Sequence, residues 1–376
     1  MLPEQQTRSG SERVRARRPR AYLTMDWAVL LGLALMAVVF LVAPDSSPTV
    51  SSSAADEDKE HDGHGRSADT PSEIPSRGWK DILLRVYDNI SEHRVLALAA
   101  GMTFYGLLAI FPALAALVAI YGLFADPASI TAHLDSLSGF LPGGAMNVAR
   151  DQLTRVASKG GQTLGWTFLI GLVISLWSAN AGMKSLFDTL NVIYGEREKR
   201  GLIKLNAVSL LFTLAGVAFT LLAIAALVVL PIVLNFFGQS GSADLLLKAG
   251  RWPVLVVVLT FALAVVYRYG PSREAPRWRW ITWGSALAAI LWLGASLLFS
   301  WYTANFGSYN KTYGSLGAVI GFMTWMWISA IVILIGAEVD AEMEHQTAHD
   351  TTTGRAKPMG ARGAEVADTL GPAKAA

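Results

Sequence analysis

Apolar stretches of membrane-crossing length recur along this chain at roughly 96–124, 163–183, 205–237, 253–268, 280–304 and 315–337, separated by short polar connections. The last runs from Ser315 to Ala337, 23 residues without a charge. As a helix it is about 34 Å long, enough to cross the ~30 Å hydrocarbon core of a bilayer. The pattern predicts an all-α, polytopic membrane protein with a six-helix transmembrane core. A further apolar run, Trp27 to Ala43, is marginal in length and is a candidate seventh span. Before the first core span, Trp79, Ile82, Leu83, Val86 and Ile90 fall on one helical face, as a helix lying along the membrane surface requires. Between the first two spans, two weakly amphipathic stretches around Pro142-Gly143-Gly144 predict a helical hairpin resting on the outer surface.

The domain reading follows from these shifts. Residues 1–25 form a basic tail, 26–44 the extra hydrophobic segment, 45–78 a disordered linker, 79–345 the membrane core and 346–376 a disordered tail. The linker is Ser-, Asp-, Glu-, His- and Gly-rich, and such a composition buries too little apolar surface to offset the entropy of ordering it.

Composition narrows the function. With 52% hydrophobic and 16% charged residues, most of the surface must face lipid. No cysteine is present, which excludes disulfides, thiolate metal sites and cysteine nucleophiles. Lys and Arg concentrate in 77–94, 184–204, 268–279 and the C-terminal tail, 17 in all against 6 in the alternate connections. By the positive-inside rule both ends of the core lie in the cytoplasm. The same Arg-rich character before residue 27 conflicts with a seventh span, since one crossing cannot keep both flanks inside. The net charge of +2 sits in short clusters beside the spans, so no nucleic-acid partner is expected. Membrane lipids are the expected partners, a homo-oligomer is left open, and no cofactor is expected.

Polar residues within or beside the spans are the candidate chemistry. Tyr105 and Pro112 lie in the first span, and Pro112 removes a backbone bond there, leaving the Leu108 carbonyl for a neighbour or a cavity. Asn180, Lys184, Asp188 and Asn191 recur at i, i+4, i+8 and i+11, a polar stripe leaving the second span. Asn305, Tyr309, Asn310 and Tyr313 crowd a short connection before the last span. Glu338 directly follows that span, with Asp340, Glu342 and Glu344 behind it. Carboxylates at a helix C-terminus oppose the macrodipole, so other groups must hold them: a basic connection such as 197–204 or 268–279, or a coupled proton or cation. His61, His64, His345 and His349 have metal-compatible spacing but too few ordered ligands, and are read as solvated.

Three segments carry a family resemblance: ALAAGMTFYGLLAIFPAL (97–114), LWSANAGMKSLFDTLNVIYGERE (176–198) and SWYTANFGSYNKTYGSLGAVIGFMTWMWISAIVILIGAEVDAE (300–342). In this order, over about residues 79–345, they resemble the YihY/BrkB family of bacterial inner-membrane proteins. The resemblance implies six membrane helices with cytoplasmic termini in the bacterial inner membrane. Members were once labelled ribonuclease BN, and some are called virulence or serum-resistance factors. Phosphodiester hydrolysis needs a metal-binding cluster or an accessible acid–base pair, which the sequence does not offer, so no enzymatic activity is expected. The expected function is transport or export of an amphiphilic envelope compound, a lipid among the candidates. The alternative is a non-transporting scaffold or envelope-assembly factor.

Overall fold

The computed structural model describes residues 63–121, 166–236, 241–306 and 315–374. The extra hydrophobic segment, the expected surface hairpin, and Tyr309, Asn310 and Tyr313 lie outside the described residues.

Among the described residues the chain is all-helical, with α1 (Ser76–Glu92), α2 (Val95–Tyr121), α3 (Trp166–Ile193), α4 (Leu202–Phe236), α5 (Gly241–Tyr269), α6 (Trp278–Phe306), α7 (Ser315–Glu344) and the one-turn α8 (Glu365–Asp368). Each of the six core stretches overlaps one of α2 to α7, and those at 253–268, 280–304 and 315–337 lie wholly within α5, α6 and α7. Three segments are long and apolar enough to cross a membrane: Leu202–Leu222, Trp278–Thr303 and Val319–Glu344. Ser76–Glu92 and Val95–Ile110 qualify only as a pair, and they are bent by 60° at their junction. Arg94, with φ 53°, makes the bend: a left-handed residue ends α1 and redirects the chain into α2.

The helices pack as an arc, α4 against α3, α3 against α2, α2 against α7, α7 against α6, and α6 against α5. Small residues set the closest approaches. A Cβ on Gly182 of α3 would meet the Ala109 Cβ of α2 at 3.1 Å, and one on Gly336 of α7 would meet the Ala288 Cβ of α6 at 2.5 Å. Close backbone approach of this kind is how helices associate where apolar burial gives no advantage over lipid. On α3, Gly182 makes such an approach, while its small neighbours Ser178 and Ala181 are exposed. The buried cluster gathers at one end of the arc, around Val95, Ala99, Leu190, Tyr194, Tyr267, Ile281, Leu334, Ala337 and Ala341.

That same end carries the polar connections. There α2, α4 and α6 begin and α3, α5 and α7 finish, because 194–201, 270–277, α1 and the residues after α7 are bonded to one another. Two expectations change here. The buried face of α1 is Gly78, Asp81, Ile82, Arg85 and Val86, packed on α7, while Leu84 and Tyr87 are exposed. Hydropathy assigned Asp81 and Arg85 outward because it cannot see their partners on α7 and the tail. The segments read as disordered, residues 63–78 of the linker and 346–374 of the tail, follow an ordered path: Thr347 and Thr351 are fully buried, and Ala348 N–H donates to the Arg66 carbonyl at 2.8 Å. Hydrogen bonds to main-chain carbonyls, together with a few buried apolar side chains such as Ile74 and Val366, hold these segments.

Candidate functional site

Four carboxylates on the last two turns of α7 occupy the centre of the polar end. Glu338, Asp340 and Glu344 are fully buried and Glu342 is 5% exposed. Spacing of two residues on a helix turns successive side chains by about 200°, so Glu338 and Glu342 share one face and Asp340 and Glu344 the other.

On the first face, α1 supplies the partners. The Arg85 guanidinium pairs with Glu342 through Nε, and its Nη2 donates to the Gln346 Oε1 at 2.6 Å. Asn89 Nδ2 donates to the second Glu342 oxygen at 2.8 Å. His93, the residue at the α1–α2 bend, sits with Nδ1 2.6 Å from Glu338 Oε1, and this hydrogen bond raises the imidazole pKa above 6.5. Glu338 Oε2 has no partner among the described residues.

The second face looks toward α3, α5 and α6. Glu344 accepts from Arg273 Nη2 at 2.8 Å and from Thr351 Oγ1 at 2.9 Å. Arg273 lies 3.9 Å over the Tyr194 ring, a cation–π contact in a fully desolvated setting. Asp340 receives the Gly284 amide N–H at 2.8 Å, and its Oδ2 has no partner among the described residues. The basic connection 268–279 therefore does hold a carboxylate, through Arg273. The connection 197–204 holds none of the four; its Arg200 pairs with Glu198 and donates to the Gly270 carbonyl at 2.8 Å. The Arg200 hydrogen bonds bring the Glu198 carboxyl down to about 2.

The tail after α7 laces this end together. Arg66 and Arg85 donate to the Gly371 and Pro372 carbonyls, and Lys374 N–H reaches Asp81 Oδ1 at 2.7 Å. Arg362 holds the tail on itself through the Ala348, His349 and Ala367 carbonyls. Glu365 N–H, at the start of α8, donates to Glu196 Oε1 at 2.9 Å, and Thr353 N–H to the Ala275 carbonyl at 3.0 Å. The histidines read as solvated take part: His64 pairs with Asp81 at 2.6 Å and His349 with Asp69 at 2.7 Å, while His345 reaches Thr369 at 3.0 Å. Each is matched to a carboxylate or hydroxyl that is remote in sequence. His61 lies outside the described residues.

The candidates named from sequence separate into different environments. Asn180 is fully buried between α3 and α4; Thr213 Oγ1 donates to its Oδ1 at 3.2 Å, and its Nδ2 has no acceptor among the described residues. Asn191 belongs to the laced end, accepting the Ser272 N–H at 2.7 Å. Lys184 lies 5.3 Å over the Trp177 ring of its own helix, and Asp188 is exposed. The polar stripe is thus not one lining. Tyr105 is exposed with Phe104 and Leu108 on α2, Pro112 lies within the continuing α2 helix, and Asn305 is in the last turn of α6. Arg85, His93 and Tyr194 are the residues that sequence reasoning passed over, while Asp340 entered only as a member of the carboxylate run and Arg273 only as part of 268–279. The only sequence signal for them was the unexplained run of carboxylates.

Comparison with known proteins places this architecture. The family described as Virulence factor BrkB matches residues 86–360. The ribonuclease-like protein YfkH of Bacillus subtilis is 30% identical over 271 residues, 69% of this chain and 94% of that protein. The UPF0761 membrane protein Mpe_A1422 of Methylibium petroleiphilum is 27% identical over 70% of this chain and 62% of its own length. The UPF0761 membrane protein NTHI0384 of Haemophilus influenzae is 24% identical over 70% of this chain and 96% of its own. No solved structure matches.

Proposed function

This chain belongs to the virulence factor BrkB family of membrane proteins, and from that premise we propose that it moves an amphiphilic envelope compound, with a lipid as the leading class, across a bacterial inner membrane. In this reading α2 to α7 each cross the bilayer. Support comes from their lengths, 27 to 35 residues, and from the bonding of the tail to residues 64–85, which puts the two ends of the core on one side and requires an even number of crossings. The excess of Lys and Arg at that end makes it the cytoplasmic one.

The observation that carries the transport reading is uneven closure. At the laced end the connections 194–201 and 270–277 are bonded together, and Gly270 sits against Leu190 and Phe187. Along their length α4 and α5, the two flanks of the arc, have no packed seam among the described residues. A bundle shut at its polar end and unsealed between two helices admits a molecule sideways from the bilayer. Reconstitution into liposomes with labelled zwitterionic and anionic lipids tests this. Label accessible to a membrane-impermeant quencher at a rate above that of empty liposomes is expected, and equal rates across the lipid panel refute transport.

The laced end favours a second reading, a fixed platform on which envelope-assembly partners dock. An enzyme is not proposed: the name ribonuclease-like belongs to YfkH, and the carboxylates here are buried rather than presented to a substrate.

A further inference from the structure

We infer that Asp340, at the crossing of α6 and α7, binds a small monovalent cation, a proton or Na⁺. Three of the four α7 carboxylates face a basic side chain: Glu338 has His93, Glu342 has Arg85 and Glu344 has Arg273. Among the described residues Asp340 has a hydrogen bond from the Gly284 amide and no ion pair. It is fully buried, and its second oxygen has no partner among the described residues.

The glycines around it keep any side-chain cation away. A Cβ on Gly284 would stand 2.3 Å from the Gly336 carbonyl oxygen and 2.5 Å from Asp340 Oδ1, so the two helices meet here with no room for another side chain. A carboxylate desolvated in this way needs a counter-charge, and an amide N–H supplies only a partial one. The groups near enough to act on Asp340 electrostatically are Tyr194 of α3, Tyr267 of α5, Arg273 of the α5–α6 connection and Glu344 of its own helix. Arg273 gives its Nη2 to Glu344 and lies over the Tyr194 ring, and no hydrogen bond joins it to Asp340 among the described residues. Tyr267 donates its hydroxyl to the Ile333 carbonyl at 2.6 Å. The Tyr194 hydroxyl, within electrostatic reach of Asp340, is fully buried and without a partner among the described residues, as are Arg273 Nε and Nη1. An acid with an open oxygen, a spare hydroxyl nearby and no room for a side-chain counter-ion is a site for a cation small enough to reach it.

The protein in lipid nanodiscs tests this without any measurement of lipid movement, so it stands or falls apart from the transport reading. Infrared spectra at neutral pH read the proton: wild type is expected to show a protonated-carboxyl band that Asp340→Asn removes. Thermal unfolding in NaCl against choline chloride at equal ionic strength reads Na⁺: an upward shift of the midpoint in NaCl, lost in Asp340→Asn, assigns the sodium ion instead. Should Asp340→Asn not fold, Tyr194→Phe is expected to move the carboxyl band or weaken the Na⁺ shift. Wild-type protein with neither a protonated-carboxyl band nor a Na⁺ shift overturns the proposal, as does either signal persisting unchanged in both variants.

Discussion

Replacing Arg85 by Met should strongly destabilise the polar end. The Arg85 side chain is 4% exposed and its Glu342 partner 6%, so solvent does little to screen the pair. Removing one member of a buried pair leaves the other charge uncompensated, at about 3–5 kcal/mol. Asn89 keeps one hydrogen bond to Glu342, which places the expectation at the lower end, while the lost bonds to Gln346 Oε1 and the Pro372 carbonyl push it up again. A loss of about 3–4 kcal/mol is therefore expected. In the double variant Arg85→Met with Glu342→Gln the stranded charge is gone, and most of that loss should return. Reversible unfolding in mixed detergent–denaturant micelles, run as a double-mutant cycle, measures both. A single-variant cost below about 1 kcal/mol, or a double variant whose loss equals the sum of the two singles, refutes the assignment of Arg85 as the counter-charge of α7.

Two further outcomes concern packing and protonation. Gly284→Ala drives a Cβ into the Gly336 carbonyl and the Asp340 carboxyl, and should cost about 1–3 kcal/mol, whereas Gly294→Ala on the same helix meets open space and should be neutral or stabilising; thermal unfolding of the pair separates crowding from helix propensity. His93 has its pKa raised by the Glu338 hydrogen bond, with Glu92 and Glu342 adding to the effect. A raised folded pKa means the protonated form is the stabilising one. Its contribution is fully present below 6.5 and is lost as pH climbs through the raised value, so unfolding midpoints should fall over that window in wild type and stay flatter in His93→Gln.

Long apolar stretches are legible because a membrane helix is specified by local composition, and each of the six core stretches overlaps an observed helix. The laced end is not legible for the opposite reason. Arg85 and Glu342 are 257 positions apart, and Lys374 and Asp81 are 293 apart, so no periodicity links them. The tail reads as disordered because it lacks an apolar stripe, yet Arg66, Arg85 and Arg362 bind it through its carbonyls, and every residue offers a carbonyl whatever its side chain. The carboxylates were visible as an anomaly against the helix dipole. One expected partner, the 268–279 connection, supplies Arg273, but the larger share comes from α1, whose charged residues a hydropathy stripe sorts to the wrong face. Asn180 and Asn191 stood out equally in sequence and occupy different settings, since spacing along one helix says nothing of what packs against each turn.

The tail also discriminates between transporter and platform. If cargo leaves toward the polar end, the connections 194–201 and 270–277 must separate, and the tail bonded to both must let go of at least one of them. A platform needs no such release. A Cβ on Gly195 would stand 3.6 Å from the Glu365 Cβ, within the Cβ–Cβ range of about 3.5–4.5 Å that a disulfide spans. The chain has no cysteine of its own, so Gly195→Cys with Glu365→Cys introduces a single defined cross-link. Gly195 has φ 64°, a left-handed conformation that costs a cysteine about 1 kcal/mol, small beside the stability of the laced end and measurable in the reduced form as a control. Oxidised protein should stop lipid movement in liposomes, and reduction should restore it to the level of either single variant. Movement that continues at full rate with the cross-link closed would mean that the tail and the 194–201 connection stay together during transport, so that the tail would have to let go of 270–277 instead or the exit lie between α4 and α5.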